Sequence, residues 1–100
     1  MKFTNNYKMK VYIAGKVTGL ERAKCSKKFE RAKLTLEALG YVAVNPLDIV
    51  KEDAEWNDAM RTCIKSLMGC DAIYLLDNWH DSEGAKIEYD LAKKLQMKII

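Results

Sequence analysis

Short apolar segments alternate with helical patterns along this 100-residue chain, and this alternation restricts the fold more than any other feature. The apolar segments are residues 10–14, 41–45, 71–76 and 98–100. Because these segments are apolar at nearly every position, both faces of the sheet must be covered, which is typical of parallel strands. The pattern predicts an α/β fold, a three-layer doubly wound sandwich with right-handed crossovers. We expect a Rossmann-like or flavodoxin-like, mainly parallel sheet of roughly four to five strands.

The segments between the strands carry helical signals. Gly40 follows the first of them, as expected of a glycine just past a helix end. The second helix is predicted over residues 55–69, and the third over residues 82–96. The apolar side of the first helix is formed by residues at helical spacing: Cys25, Phe29, Ala32, Leu36 and Leu39. The apolar side of the second helix is formed by Trp56, Met60, Cys63 and Leu67. Without a linker or repeat, residues 1–100 are predicted to form a single domain.

Composition excludes several classes of function. No apolar run is long enough to span a membrane, and the first seven residues lack the apolar segment of a signal peptide. The odd number of cysteines, three, and the absence of a signal peptide predict reduced thiols in the cytoplasm. The cysteines lack metal-ligand spacing and there is a single histidine, so no metal is predicted, and no cofactor is expected. A net charge of +3 suits a nucleotide-sized anion and does not indicate binding to nucleic acid.

Glu88 is the most unusual residue of the third helix. Its neighbours at helical spacing are small or apolar, so no side chain on the same face can pair with its carboxylate. A carboxylate in the stripe that faces the sheet is costly unless something binds or uses it. The preceding turn carries Gly84 and Ala85, which predicts open space beside Glu88. Ser82 is a candidate N-cap, and the helix N-terminus favours an anion. The alternative is a structural glutamate bound by backbone, tyrosine hydroxyls or a neighbouring subunit.

Other candidates follow the predicted strands, where α/β proteins bind their ligands. The turn from Gly15 to Gly19 is a candidate phosphate site, in which Lys16 would add charge, or simply a turn. Asp77 is a candidate acid or sugar ligand, or a turn aspartate. Trp79 is a candidate for stacking on a base, or a cover for the sheet edge. Tyr12 precedes the turn within its strand and is a further candidate, with core packing as the alternative. Asn45 and Asp48 could line the same cleft, with weaker support.

Three segments together resemble the nucleoside 2-deoxyribosyltransferase superfamily, which includes the 2′-deoxynucleoside 5′-monophosphate N-glycosidases. The nearest resemblance is to a branch of small bacterial and phage proteins. The superfamily segments are Tyr12-Ile13-Ala14-Gly15, Asp71 to Leu76, and Ser82-x-Gly84-x-x-x-Glu88. The branch adds Cys70-Asp71 and Trp79-x-x-Ser82-x-Gly84-Ala85-x-x-Glu88, and the resemblance extends over nearly the whole chain. The last motif is fairly specific, whereas the first is weak alone.

The resemblance implies that Glu88 is a nucleophile that attacks C1′ of a deoxyribosyl unit, with Tyr12 near that nucleophile. It implies that Ser82 and Gly84 hold a 5′-phosphate, with Lys16 or Thr18 where related hydrolases have an arginine. It also implies a nucleoside or nucleotide as substrate and a homodimer or higher homo-oligomer. Relatives continue beyond the position of Ile100 and supply a polar group to the neighbouring subunit's site.

One departure separates two hypotheses. Cys63 occupies the position of an aspartate that contacts the sugar in relatives, and this replacement favours a non-catalytic nucleotide-binding module over an enzyme. The unpaired Glu88 favours the enzyme. A flavin-binding or redox protein is suggested by the fold alone.

Overall fold

The computed structural model describes residues 7–100, so residues 1–6, on which the prediction about a signal peptide mostly rests, lie outside the described part. Four strands and three α-helices alternate along these residues. The strands are β1 (Lys10–Ala14), β2 (Val42–Val44), β3 (Ala72–Leu75) and β4 (Lys98–Ile99). The helices are α1 (Arg22–Ala38), α2 (Trp56–Met68) and α3 (Glu83–Lys94). Short 3₁₀ turns cover Pro46–Asp48 and Trp79–Asp81.

The four strands form one sheet in the order β2-β1-β3-β4, and every neighbouring pair is parallel. Tyr12 of β1 is paired in register with Val44 of β2 and with Ile73 of β3. The chain leaves β1 toward one side of the sheet and later returns to its other side. The switch in strand order therefore lies between β1 and β3, which is where doubly wound proteins form their ligand crevice.

Helices cover both faces of the sheet. Val11 and Ile13 point to one face and pack with the buried residues of α1, such as Phe29. Tyr12 and Ala14 point to the other face, where buried residues of α2 and α3 cover them. This alternation follows from the two-residue period of a strand. The predicted α/β three-layer sandwich with a parallel sheet is confirmed.

The boundaries of the helices and strands agree with the sequence patterns to within about two residues. Capping residues explain where two of the helix ends lie. Gly40 has a φ of +93° directly after the last turn of α1, as the helix-end prediction requires. The Ser82 hydroxyl accepts a hydrogen bond from the Ala85 amide at 3.1 Å and caps α3. The prediction that Leu39 belongs to the buried stripe of α1 is wrong, because that side chain is exposed beyond the helix end. No helix of residues 7–100 is long and apolar enough to cross a membrane.

Candidate functional site

A buried pair of polar side chains, Tyr12 and Glu88, connects β1 to α3. Tyr12 is fully buried in the strand, and its hydroxyl donates a hydrogen bond to Glu88 Oε2 at 2.6 Å. Glu88 is 5% exposed and lies on the sheet-facing side of α3, as its place in the apolar stripe predicts. The tyrosine hydroxyl is the partner that the helix itself cannot supply.

Burial changes the ionisation of both groups. Loss of hydration raises the pKa of Glu88 to about 7, although the hydrogen bond from Tyr12 acts in the opposite direction. Burial, and then the neighbouring Glu88 carboxylate, raises the pKa of Tyr12 far above its usual value. Near neutral pH the glutamate is therefore close to half ionised, whereas the tyrosine stays protonated and can only donate its proton to this contact.

Glu88 also forms part of the wall of a cavity of about 430 Å³. A cavity of this size suits a small organic ligand. Tyr12 and Cys63 line the cavity beside Glu88, and residues from all three inter-strand regions complete it. Its further lining is Gly15, Val17, Thr18, Leu20, Arg22, Pro46, Leu47, Val50, Lys51, Glu52, Ala54, Trp56, Ala59, Met60, Ser82, Gly84 and Ala85. The cavity thus lies beyond the carboxyl ends of the strands, where the topology places a ligand.

The first turn of α3 is packed more tightly than the sequence suggests. A Cβ atom on Gly84 would lie 2.8 Å from the Met60 sulfur, which is closer than such atoms approach. The glycine therefore admits the Met60 side chain of α2, while the space predicted beside Glu88 is part of the larger cavity. Gly84 still lines the cavity, together with Ser82 and Ala85.

A second cavity, of about 440 Å³, adjoins the first at the start of α3. The two cavities share four lining residues, which are Thr18, Trp56, Ser82 and Gly84. Lys16 lines the second cavity and not the first, together with Asp81 and Glu83. The charge of Lys16 is therefore placed near the mouth rather than beside the buried carboxylate.

The turn after β1 is held to the rest of the protein. A Cβ atom on Gly15 would lie 2.5 Å from Leu76 Cδ1, so glycine is required where the turn passes β3. The Lys16 amide donates a hydrogen bond to Asn78 Oδ1 at 3.0 Å. That amide is occupied within the protein, which reduces the number of backbone donors that this turn offers to a phosphate.

Asp77 and Trp79 line neither cavity. Asp77 is exposed and forms an ion pair with Lys28 of α1, which lowers the pKa of its carboxyl. The ring of Trp79 packs against Tyr89, with 4.6 Å between ring centres, and adjoins the core under α3. The structure therefore brings together Tyr12, Gly15, Thr18, Ser82, Gly84 and Glu88, and leaves Asp77 and Trp79 apart.

Asn45 and Asp48, the weaker candidates, also lie outside both cavities. The Asn45 side chain accepts a hydrogen bond from the Leu47 amide at 3.0 Å and caps the 3₁₀ turn. Asp48 forms an ion pair with Lys33 of α1 at 3.1 Å. These contacts account for the Asn45 side chain and for the charge of Asp48 without a ligand.

Arg22 and Trp56 line the larger cavity, although neither was a candidate site residue in the sequence analysis. Arg22 begins α1, and its guanidinium lies 4.0 Å from the Glu52 carboxylate. Trp56 begins α2 and is 43% exposed, although its spacing placed it on the apolar side of that helix. Both residues begin a helix that follows a strand. This position at the ligand-binding edge of the sheet is the sequence signal that could have identified them as site residues.

Metal ligands are not grouped in the part of the chain that the structure describes. Within residues 7–100, no cluster of three or more His, Cys, Asp or Glu side chains could hold a metal ion. Cys63 stands beside Tyr12 and Glu88, and burial raises the pKa of its thiol. A neutral thiol is a weak nucleophile and a weak hydrogen-bond donor. At this end of the cavity, Glu88 is therefore the group whose pKa, raised to about 7, allows a change of charge near neutral pH.

The fold and the cavity define a small doubly wound α/β protein with one buried carboxylate at the switch in strand order. Residues 9–100 match the sequence profile of a domain of unknown function, DUF4406, and the chain belongs to that family. The comparison with curated proteins gave no match. The family description names no activity, so the chemistry has to be argued from the geometry of the site.

Proposed function

We propose that this protein cleaves the N-glycosidic bond of a nucleoside or nucleotide, or transfers its deoxyribosyl group to a second base, with Glu88 as the nucleophile. The observation that carries this proposal is the buried Glu88 carboxylate, bound by Tyr12 on the wall of a cavity of about 430 Å³. The resemblance of three motifs to the nucleoside 2-deoxyribosyltransferase superfamily supports the same assignment.

The proposed reaction follows the logic of a retaining glycosidase. A Glu88 oxygen bonds to C1′ as the C1′–N bond breaks, and the bonding electrons leave with the base, which takes a proton from solvent. Water or a second base then attacks C1′, and the ester bond to Glu88 breaks to restore the carboxylate. Tyr12 binds Oε2 and leaves Oε1 as the attacking atom. Because the attack needs ionised Glu88, activity should rise with pH through about 7.

The acid that protonates the departing base is not another buried carboxyl group. Glu52 is the other carboxylate that lines the larger cavity, and it is well exposed and faces Arg22. A proton from solvent, which the open mouth of the cavity admits, is therefore part of the proposal.

A non-catalytic nucleotide-binding module is the second candidate, and Cys63 is the observation that favours it. The thiol stands beside Tyr12 and Glu88, where the resemblance implies a sugar-binding aspartate. A neutral thiol cannot accept a strong hydrogen bond from a sugar hydroxyl as a carboxylate does. Under either candidate, we propose a cytoplasmic protein without a cofactor that forms a homodimer or a higher homo-oligomer.

Base release distinguishes the two candidates. Purified protein is incubated with deoxynucleosides and their 5′-monophosphates, with and without a second free base, and the products are separated by chromatography. Glu88→Gln keeps the shape and a hydrogen-bond acceptor for Tyr12 but cannot form the ester, whereas Glu30→Gln changes an exposed acid on α1 and serves as the matched control.

Release of base by the wild type and by Glu30→Gln, with none by Glu88→Gln, is the expected result. Equal release by Glu88→Gln would refute the role of the carboxylate as nucleophile. Binding of a nucleotide without release of base across the whole panel would instead support the non-catalytic module.

A further inference from the structure

We propose that Trp56 is the platform on which the base of the bound nucleotide stacks. This inference rests on the nucleotide ligand of the proposed function but not on its chemistry, since stacking is required equally of an enzyme and of a binding module. Trp56 thereby takes the role that the sequence motif suggested for Trp79.

The position of Trp56 carries the argument. Its indole lines both cavities, so it stands at their junction rather than at the edge of one. It is also 43% exposed, although it is the first residue of a helix whose later apolar residues, Cys63 and Leu67, are buried. A large aromatic face at the junction of two cavities is available to a planar ring, and stacking on such a face tolerates any base.

A packing role does not account for Trp56. The side chain is 43% exposed and is not one of the buried residues that form the two core clusters of the described chain. The contact that closes the start of α3 onto α2 is made by Met60, whose sulfur fills the space that glycine leaves at position 84. Removal of the indole should therefore cost little stability and change the site.

Trp79 has the opposite environment and supplies the matched control. Its ring is partly buried against Tyr89 and the core under α3, and it lines neither cavity. Trp56 and Trp79 are the two tryptophans of the chain. Intrinsic fluorescence therefore reports on one residue at the cavities and one away from them, and a variant of each separates their signals.

The test is an equilibrium titration in the Glu88→Gln background, so that no ligand is consumed. The common 2′-deoxynucleoside 5′-monophosphates are titrated by calorimetry and by tryptophan emission, and 2-deoxyribose 5-phosphate serves as the same ligand without its base. Trp56→Leu, Trp56→Phe and Trp79→Phe are compared. We expect Trp56→Leu to lose the nucleotide-induced quenching and to bind the tightest nucleotide about tenfold or more weakly.

The other measurements separate stacking from a change in the whole site. Affinity for 2-deoxyribose 5-phosphate should be the same with and without Trp56→Leu, Trp56→Phe should retain most of the nucleotide affinity, and Trp79→Phe should retain both quenching and affinity. Unchanged nucleotide affinity in Trp56→Leu, or equal weakening of both ligands, would overturn the inference.

Failure of the proposed function gives different results. Loss of catalysis alone, with nucleotide binding and Trp56-dependent quenching intact, ends the glycosidase proposal and supports this inference. Absence of nucleotide binding by both the wild type and the Glu88→Gln protein ends the stacking role together with the ligand assignment.

Discussion

Replacement of Glu88 by glutamine should stabilise the protein at neutral pH and have a smaller effect in acid. The pKa of Glu88 is raised from 4.5 to about 7 in the folded protein, chiefly by burial. The folded state therefore prefers the protonated side chain more strongly than the unfolded state does. The stability that this preference contributes is fully present below about pH 4.5 and is lost by about pH 7. Glutamine keeps the neutral form at every pH.

The shift fixes the size of the effect. A change in pKa from 4.5 to about 7 corresponds to about 3 kcal/mol in the free energy of unfolding. Solvent does not reduce this value by screening, because Glu88 is only 5% exposed. The difference in stability between Glu88→Gln and the wild type should thus grow by about 3 kcal/mol from pH 4.5 to pH 7. For a chain of this length, that is a change of roughly 15 °C in the difference between the two melting temperatures.

Thermal or urea denaturation between pH 4 and about 8.5 measures this difference directly. Other carboxyl groups, such as Asp71 and Asp77, have lowered pKa values and change the stability of both proteins alike. The comparison with Glu88→Gln removes their contribution, and Glu30→Gln shows the effect of losing an exposed acid. Stability curves that run parallel over this range would show that Glu88 ionises as freely in the folded protein as in the unfolded chain.

Three further predictions concern residues of the site. Gly15→Ala should destabilise the protein by about 2 kcal/mol in urea denaturation, because its Cβ would meet the buried Leu76 side chain near its base. Gly84→Ala should lower the free energy of unfolding by less than about 1 kcal/mol, because the Met60 side chain is flexible and alanine favours a helix. A loss of stability larger than that of Gly15→Ala would contradict this account. Tyr12→Phe removes the hydrogen bond that lowers the pKa of Glu88. The titration of the Glu88 carboxyl group, followed by ¹³C NMR, should therefore move to a pH above 7. Movement to lower pH would contradict the role given to the Tyr12 hydroxyl.

The sequence was sufficient for the fold because its signals are local and agree with one another. Apolar strands such as Lys10–Ala14 have few alternatives once both faces must be covered. Gly40 and Ser82 mark helix ends by backbone conformation and by capping, and both act where predicted. Leu39 was misassigned because periodicity continues past the residue at which the helix ends, and the hydrogen bonds of the cap decide that position.

The site was predictable only in part because a cavity depends on tertiary distances. Glu88 was recognised from the chemistry of its own helix, which is local information. The partner of Glu88 was one of several candidates, because Tyr12 is separated from it by 76 positions in the sequence. Only the pairing of β1 with β3 and the packing of α3 bring the two residues together. Trp56 and Trp79 show the limit most clearly. Both begin short helical segments, and only the packing of α2 and α3 determines which indole reaches a cavity.

A structural role for Glu88 gives no physical reason for an ionisable group at this position. Glutamine would fill the same space and accept the same hydrogen bond from Tyr12, without the loss of stability that ionisation brings near neutral pH. A negative charge on the cavity wall has a use in both proposed functions, either as a nucleophile at C1′ or as an acceptor for a ligand hydroxyl group. The two functions therefore separate at Cys63 rather than at Glu88. If Cys63→Asp confers base release on an inactive protein, the thiol is what distinguishes the binding module from the enzyme.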